Sequence, residues 1–215
     1  MTITKYGHCC LLIEIDGKRI VTDPGAYSRD FTELSNIDII LITHEHADHC
    51  HTESIATLLA HNESATVVGN SSVASLLAAS GIATRVIEGT ASATVADILL
   101  QATDGPHEEI FETFGLVQNT GYLIAGTFFI PGDAYIVPAQ PVAVLGLPVA
   151  GPWCKAGDAV RYGIAVAPKI AIPIHDAVLS QAGQHVTYGL FTRELQKHNI
   201  TFLPLPEGEA TTLPL

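Results

Sequence analysis

Apolar residues in this chain come mostly in short runs broken by turn residues, which predicts many strands and a few helices. Thr2–Tyr6 and Cys9–Ile15 read as strands, and Asp16-Gly17 is a two-residue hairpin turn leading into Lys18–Thr22. Asp23-Pro24-Gly25 then breaks the pairing. Asp38–Thr43 contains an unbroken Ile-Ile-Leu-Ile run, the pattern of a strand buried on both faces. Glu53–Ala60 has helical composition, and Ser71–Ser80 reads as a helix stopped by Gly81. Short strands are expected at Thr66–Val68 and Thr84–Ile87, and a longer one along Ala93–Ala102. Gly121–Ala125 and Thr127–Ile130 predict a hairpin about Ala125-Gly126, and Val142–Leu147 another buried strand. Ala156–Val166 suits an amphipathic helix, Ile170–Ile174 a strand, Thr187–His198 a helix and Thr201–Leu205 a last strand. Strands cluster, with helices between and after them, which predicts layers of sheet and helix rather than an alternating βαβ barrel. No linker, low-complexity stretch or fixed-period repeat interrupts the pattern, so residues 1–215 are expected to form one domain.

Composition narrows the classes of function. Hydrophobic residues make up 47% and charged residues 15%, which excludes wholesale disorder. Ten Lys and Arg face 22 Asp and Glu, for a net charge of −12. Such a surface repels phosphate backbones and anionic lipid, so neither nucleic acid nor a membrane is an expected partner. The uncharged run from Ala134 to Cys154 is no spanning helix, because Pro138, Pro141, Pro148 and Pro152 interrupt it. Glu14 and Asp16 cut short any leader-like apolar stretch near the start. Cys9, Cys10, Cys50 and Cys154 form no CxxC pair, which fits reduced thiols and a cytoplasmic location.

The chemistry concentrates in Thr43-His44-Glu45-His46-Ala47-Asp48-His49. Three histidines and an aspartate lie directly after a buried strand. His44 and His46 are two apart and can point to one side of an extended chain, whereas Glu45 points away. Imidazole and carboxylate are ligands that zinc, iron and manganese accept. At this chain's own frequencies, a chance H-x-H-x-D-H arises on the order of once in a thousand. A two-metal site needs further ligands from elsewhere. His107, Asp133 and His175 each follow an apolar run and open a polar loop.

On these residues the chain resembles the metallo-β-lactamase fold superfamily. The likeness runs from Tyr6-Gly7-His8 and Thr22-Asp23-Pro24-Gly25 through the histidine motif to Gly132-Asp133 and His175. Asn119-Thr120-Gly121-Tyr122 and Pro148…Pro152-Trp153 look most similar to small bacterial hydrolases resembling L-ascorbate-6-phosphate lactonase. The resemblance implies an α/β, four-layer αββα sandwich with its site at one edge. It implies that His44, His46 and His107 hold one divalent ion, and that Asp48, His49 and His175 hold a second. Asp133 would bridge them. Zinc is the expected metal, with manganese or iron as alternatives. Two such ions about 3.5–4 Å apart share a water and acidify it enough to leave hydroxide at neutral pH. Asp48 and Asp133 are accordingly the expected catalytic carboxylates.

Around that set, His8 is expected to sit near the site or serve as a structural histidine. Asp23 could orient a ligand histidine or simply form its turn. Trp153 could line the pocket or fill the core, and His185 could touch substrate from a loop at the mouth. Cys50 and His51 are not expected to be ligands. The expected function is metal-dependent hydrolysis of a small lactone, ester, amide or phosphoester. Alternatives are a phosphodiesterase or nuclease of the same fold, or a metal-binding or sensing protein without turnover. The acidic, alanine-rich surface also leaves room for a homo-oligomer.

Overall fold

The computed structural model describes residues 1–214. Residue 215, the last of the single-domain span expected from sequence, lies outside the described residues. The first sheet is built from β1 (Thr2–Lys5), β2 (Leu11–Ile15), β3 (Lys18–Thr22), β4 (Ile39–Leu41), β5 (Thr66–Gly69) and β6 (Arg85–Val86), side by side in that order. The second runs through β7 (Ser92–Val95), β8 (Ile98–Pro106), β9 (Gln118–Ile124), β10 (Phe128–Ile130), β11 (Val144–Pro148), β12 (Ile170–Ile174) and β13 (Thr201–Phe202), again in sequence order. The last strand, β14 (Thr211–Thr212), returns to the first sheet and pairs with β1.

Alternation along the strands sorts side chains into layers. Ile3, Leu11, Ile13, Ile20, Ile39 and Leu41 point between the sheets, where they meet Tyr122, Ile124, Phe128, Val144 and Ile172. The intervening Cys10, Leu12, Val21, Ile40 and Ile42 face outward. There they are covered by Ile55 and Leu58 of helix α1 (Thr52–Ala60) and by Val73 and Leu77 of α2 (Ser71–Ala78). On the far side, Leu123, Phe129, Leu145 and Ala171 pack against α3 (Ala156–Val166) and α4 (Gln181–Gln196) through Ala159, Val160, Phe191 and Leu195. The result is the expected mixed α/β fold with helix, sheet, sheet and helix in four layers.

Three expectations need correction. The strand within Thr201–Leu205 covers only Thr201–Phe202 and is not the last, because β14 follows it. Ala93–Ala102 is not one strand but the tip of a hairpin, which turns at Ala96 and Asp97 with φ of +44° and +67°. Alanine rarely takes that conformation, so composition carried no turn signal there. Helix α4 begins at Gln181, six residues before the expected Thr187, because the Ser180 hydroxyl caps it by accepting the Gly183 N–H at 3.1 Å. His185 therefore lies on an exposed helical turn rather than in a loop at a mouth.

The topology explains why the chemistry gathers at one edge. β3, β4 and β5 run parallel to one another, as do β10, β11 and β12. Their carboxyl ends open into the loops that carry Asp23, the His44–His49 motif, Asp133, Trp153 and His175. The two sheets are tied there by the Thr120 N–H, which donates to the Thr43 carbonyl at 3.0 Å.

Candidate metal centre

Close backbone approach holds the motif loop. Gly25 passes so near that a Cβ on it would lie 1.7 Å from the Asp48 carbonyl oxygen, so only glycine fits. Gly132 combines φ of +66° with the Asn119 amide 2.1 Å from where its Cβ would be. The Asn119 amide oxygen accepts the Asp133 N–H at 3.0 Å and its NH₂ donates to the Pro131 carbonyl at 2.8 Å. That clamp aims Asp133 into the site. His8, Asp23 and His175 all adopt positive φ, at +42°, +40° and +60°. Three non-glycine residues in a costly conformation around one point mark a place where surrounding structure sustains strain.

The rings are oriented from behind. His49 Nδ1 lies 2.9 Å from Asp23 Oδ2, and Asp23 also accepts the Thr43 N–H at 2.8 Å and the Thr43 hydroxyl at 2.9 Å. A carboxylate only accepts, so the His49 proton sits on Nδ1 and Nε2 faces the site. His44 Nδ1 lies 3.1 Å from the Thr43 hydroxyl oxygen, which already donates to Asp23 and so accepts from the ring. His107 Nδ1 donates to the Glu108 carbonyl at 2.5 Å. These three rings, each with a polar partner behind and its other nitrogen in front, are held as metal-ligating histidines commonly are.

Two clusters of donor atoms converge in front. One is His44, His46 and His107; the other is His8, Asp48, His49 and His175, each within 4.8 Å of one another. Asp133 lies between them. Its Oδ2 is 3.9 Å from His44 Nε2, 3.3 Å from His107 Nε2 and 2.9 Å from His175 Nε2, while its Oδ1 is 3.1 Å from His49 Nε2. Trp153 is no mere core filler: its Nε1–H donates to Asp133 Oδ2 at 2.9 Å. His44, His49, His107, Asp133 and His175 are buried, whereas His46 and Asp48 are partly exposed and open the site to solvent. His185 is not among these residues, and Cys50 lies in the core beneath α1.

The electrostatics are those of a charged cluster in a dry place. Burial pushes the Asp133 carboxyl up, but His49 and His175 outweigh burial and hold it well below the ordinary carboxylate range. Asp48 is likewise raised by burial and lowered further by the neighbouring imidazoles of His175 and His8. Burial opposes charge on His175, yet Asp133 and Asp48 lift it to about 9. His49 is also held well above its usual value against burial, by Asp133 and Asp23 among others. His44 goes the other way, lowered by burial first and by His49 next.

Buried polar atoms without partners decide whether a metal fits. His44 Nε2, His107 Nε2, His175 Nε2 and Asp133 Oδ1 have no hydrogen-bond partner. Each such atom costs about 1–3 kcal/mol when buried alone. All four point into the same small space, so the donor set fits divalent ions of the kind that histidine and carboxylate bind.

The profile of the beta-lactamase superfamily domain matches residues 2–175. The chain belongs to that superfamily. Protein Rv0786c of Mycobacterium tuberculosis is 34% identical over 99% of this chain and 100% of its own length. A UPF0173 metal-dependent hydrolase of Carboxydothermus hydrogenoformans is 24% identical, covering 81% of this chain and 84% of that protein. Among solved structures, Igni18, a metallo hydrolase from Ignicoccus hospitalis, superposes with a TM-score of 0.79 at 19% identity, over 100% and 98% of the two chains. That likeness shows a shared superfamily fold. The narrower likeness to the lactonase branch finds no support among these relatives.

Three neighbours of the superfamily site went unread in the sequence. Thr43 braces Asp23, and Asn119 orients Asp133, through hydrogen bonds that span 20 and 14 residues, which no local pattern signals. Cys9 is fully buried with its Sγ 3.9 Å from His49 Nε2, and burial pushes its thiol up to about 12.

Proposed function

We propose that this protein is a metal-dependent hydrolase of a small molecule, with two ions held by seven side chains. His44, His46 and His107 would hold one ion, Asp48, His49 and His175 the other, and Asp133 would be shared. The reading is carried by the four partnerless buried atoms that converge between the two clusters. The hydrolase name of the Carboxydothermus relative supports it. When bound, the ions would supply Lewis acidity and an acidified water, as the expected chemistry requires. The chain's own part is to fix the donors. Asp23 and Thr43 set which nitrogens are bare, Trp153 holds Asp133 through one oxygen, and the dry surroundings strengthen each charge.

The substrate side favours an ester, lactone or amide over a phosphate. An open cleft of about 700 Å³ beside His46 is lined by Glu45, Ala47, Ser71, Ser72, Ser75 and Leu76. That lining carries one carboxylate and no lysine or arginine, a poor match for phosphoesters or nucleic acid. Arg161, on α3, is paired with Asp158. Zinc is the first metal to test, with manganese or iron next. A reducing compartment such as the cytoplasm accords with four free cysteines. No helix is long and apolar enough to cross a membrane among the described residues. We read the chain as one domain, since a single core layer draws on both sheets.

Elemental analysis of wild type and His175→Ala after zinc supplementation tests the site. The expected result is near two ions per chain, falling by about one in the variant. A wild type that holds none would overturn the assignment. Two ions without turnover on lactone, ester, amide and phosphodiester panels would instead favour a sensing protein.

A further inference from the structure

The cluster that faces the second ion contains one donor more than the proposed ligand set, and that donor is His8. The Gly7-His8 turn between β1 and β2 runs through φ of +85° and +42°, closed by the Cys10 N–H donating to the Gly7 carbonyl at 3.0 Å. It drives a fully buried imidazole toward the site. His8 Nε2 lies 3.2 Å from Asp48 Oδ2, and its ring centroid is 4.1 Å from that of His175. The His175 N–H donates to the His8 carbonyl at 3.2 Å, so two strained residues brace each other and present their rings to one point.

Two donors on one ion at about 2.1 Å lie about 3 Å apart when adjacent and about 4.2 Å when opposite. The separations from Asp48 Oδ2 are 3.2 Å to His8, 3.5 Å to His175 and 3.9 Å to His49, all within that span. No other polar group occupies His8: its Nδ1 has no partner, as is also true of His175 Nδ1. We propose that His8 is a direct ligand of the second ion, alongside Asp48, His49, His175 and the shared Asp133. This rests on the two-ion reading above. It makes the centre unequal, with four protein ligands on the first ion and five on the second. Five leave one position open in a six-coordinate shell, a geometry that a four-coordinate structural zinc site does not use. The competing arrangement keeps a proton on His8 Nε2, donated to Asp48, and leaves the ion with four protein ligands.

A crystal structure of the full chain loaded with zinc, with the ions located by anomalous scattering, separates the two. We expect His8 Nε2 about 2.1 Å from the second ion. An ion bound by Asp48, His49 and His175 with His8 Nε2 still beyond about 3 Å, on Asp48, overturns the proposal while leaving the two-ion reading intact. A chain that takes up no zinc defeats both. In solution, His8→Gln should lower affinity for the second ion by more than about 100-fold, beyond the 10–100-fold loss of a residue that only orients a ligand. Unchanged affinity for both ions would overturn the proposal. If the variant does not fold, the wild-type crystal structure still decides.

Discussion

Asp23→Asn isolates what orientation contributes to this centre. Asp23 is fully buried and belongs to neither donor cluster, so the substitution changes no proposed ligand. The amide keeps one oxygen for the Thr43 N–H, now at 2.8 Å. Its NH₂ then faces His49 Nδ1 at 2.9 Å, where the carboxylate accepted a proton. Two donors cannot share that contact, so the His49 proton moves to Nε2, the atom aimed at the second ion. Loss of such an orienting partner costs about 10–100-fold in metal affinity, or about 1.4–2.8 kcal/mol. The loss should fall on the ion served by His49 and spare the one served by His44, His46 and His107. Trp153 is the single tryptophan and donates to Asp133, so its emission should report zinc titrations against a competing chelator. Asp23→Asn binding both ions within about twofold of wild type would refute the orienting role. Equal weakening at both sites would show that the effect travels through general loosening.

Trp153→Phe removes the indole N–H from Asp133 and should weaken both ions by about 10-fold or more, since Asp133 lies between the clusters; metal content after dialysis reads this. Lys5 is buried and paired with Asp176 at 2.5 Å, next to His175, and also donates to the Pro173 carbonyl at 2.8 Å. Lys5→Ala leaves that carboxylate with the Tyr188 hydroxyl but no counter-charge and should cost about 3–5 kcal/mol in urea unfolding, whereas a loss under about 1 kcal/mol would mean that water reaches Asp176. Zinc binding should release protons at pH 7, because His175, lifted to about 9 against burial by Asp133 and Asp48, holds a proton before metal arrives. Affinity should therefore climb as pH rises toward about 9 and fall below it; calorimetry in buffers of different ionisation enthalpy would expose an absence of release.

The local pattern along the chain determined most of the elements and named most of the candidate donors. Period-two alternation in Leu11–Ile15 and Ile39–Leu41 assigns each side chain to one layer, because neighbouring residues on a strand must point to opposite faces. The H-x-H-x-D-H spacing was legible because four donors follow one strand end within six residues. His107, Asp133 and His175 could be chosen as loop-opening residues, but their meeting point could not be derived from spacing. It depends on β10, β11 and β12 running parallel beside β3 and β4, so that distant loops leave at one edge. Tertiary structure alone decided the rest. It brought Trp153 onto Asp133 across 20 residues and Asp23 onto His49 across 26. It placed His8 against Asp48 across 40. It also put His185 on an exposed helical turn, by starting α4 at a serine cap. Propensity and periodicity act over a few residues. A donor set held together by burial and long-range hydrogen bonds exists only once the sheets have closed over it.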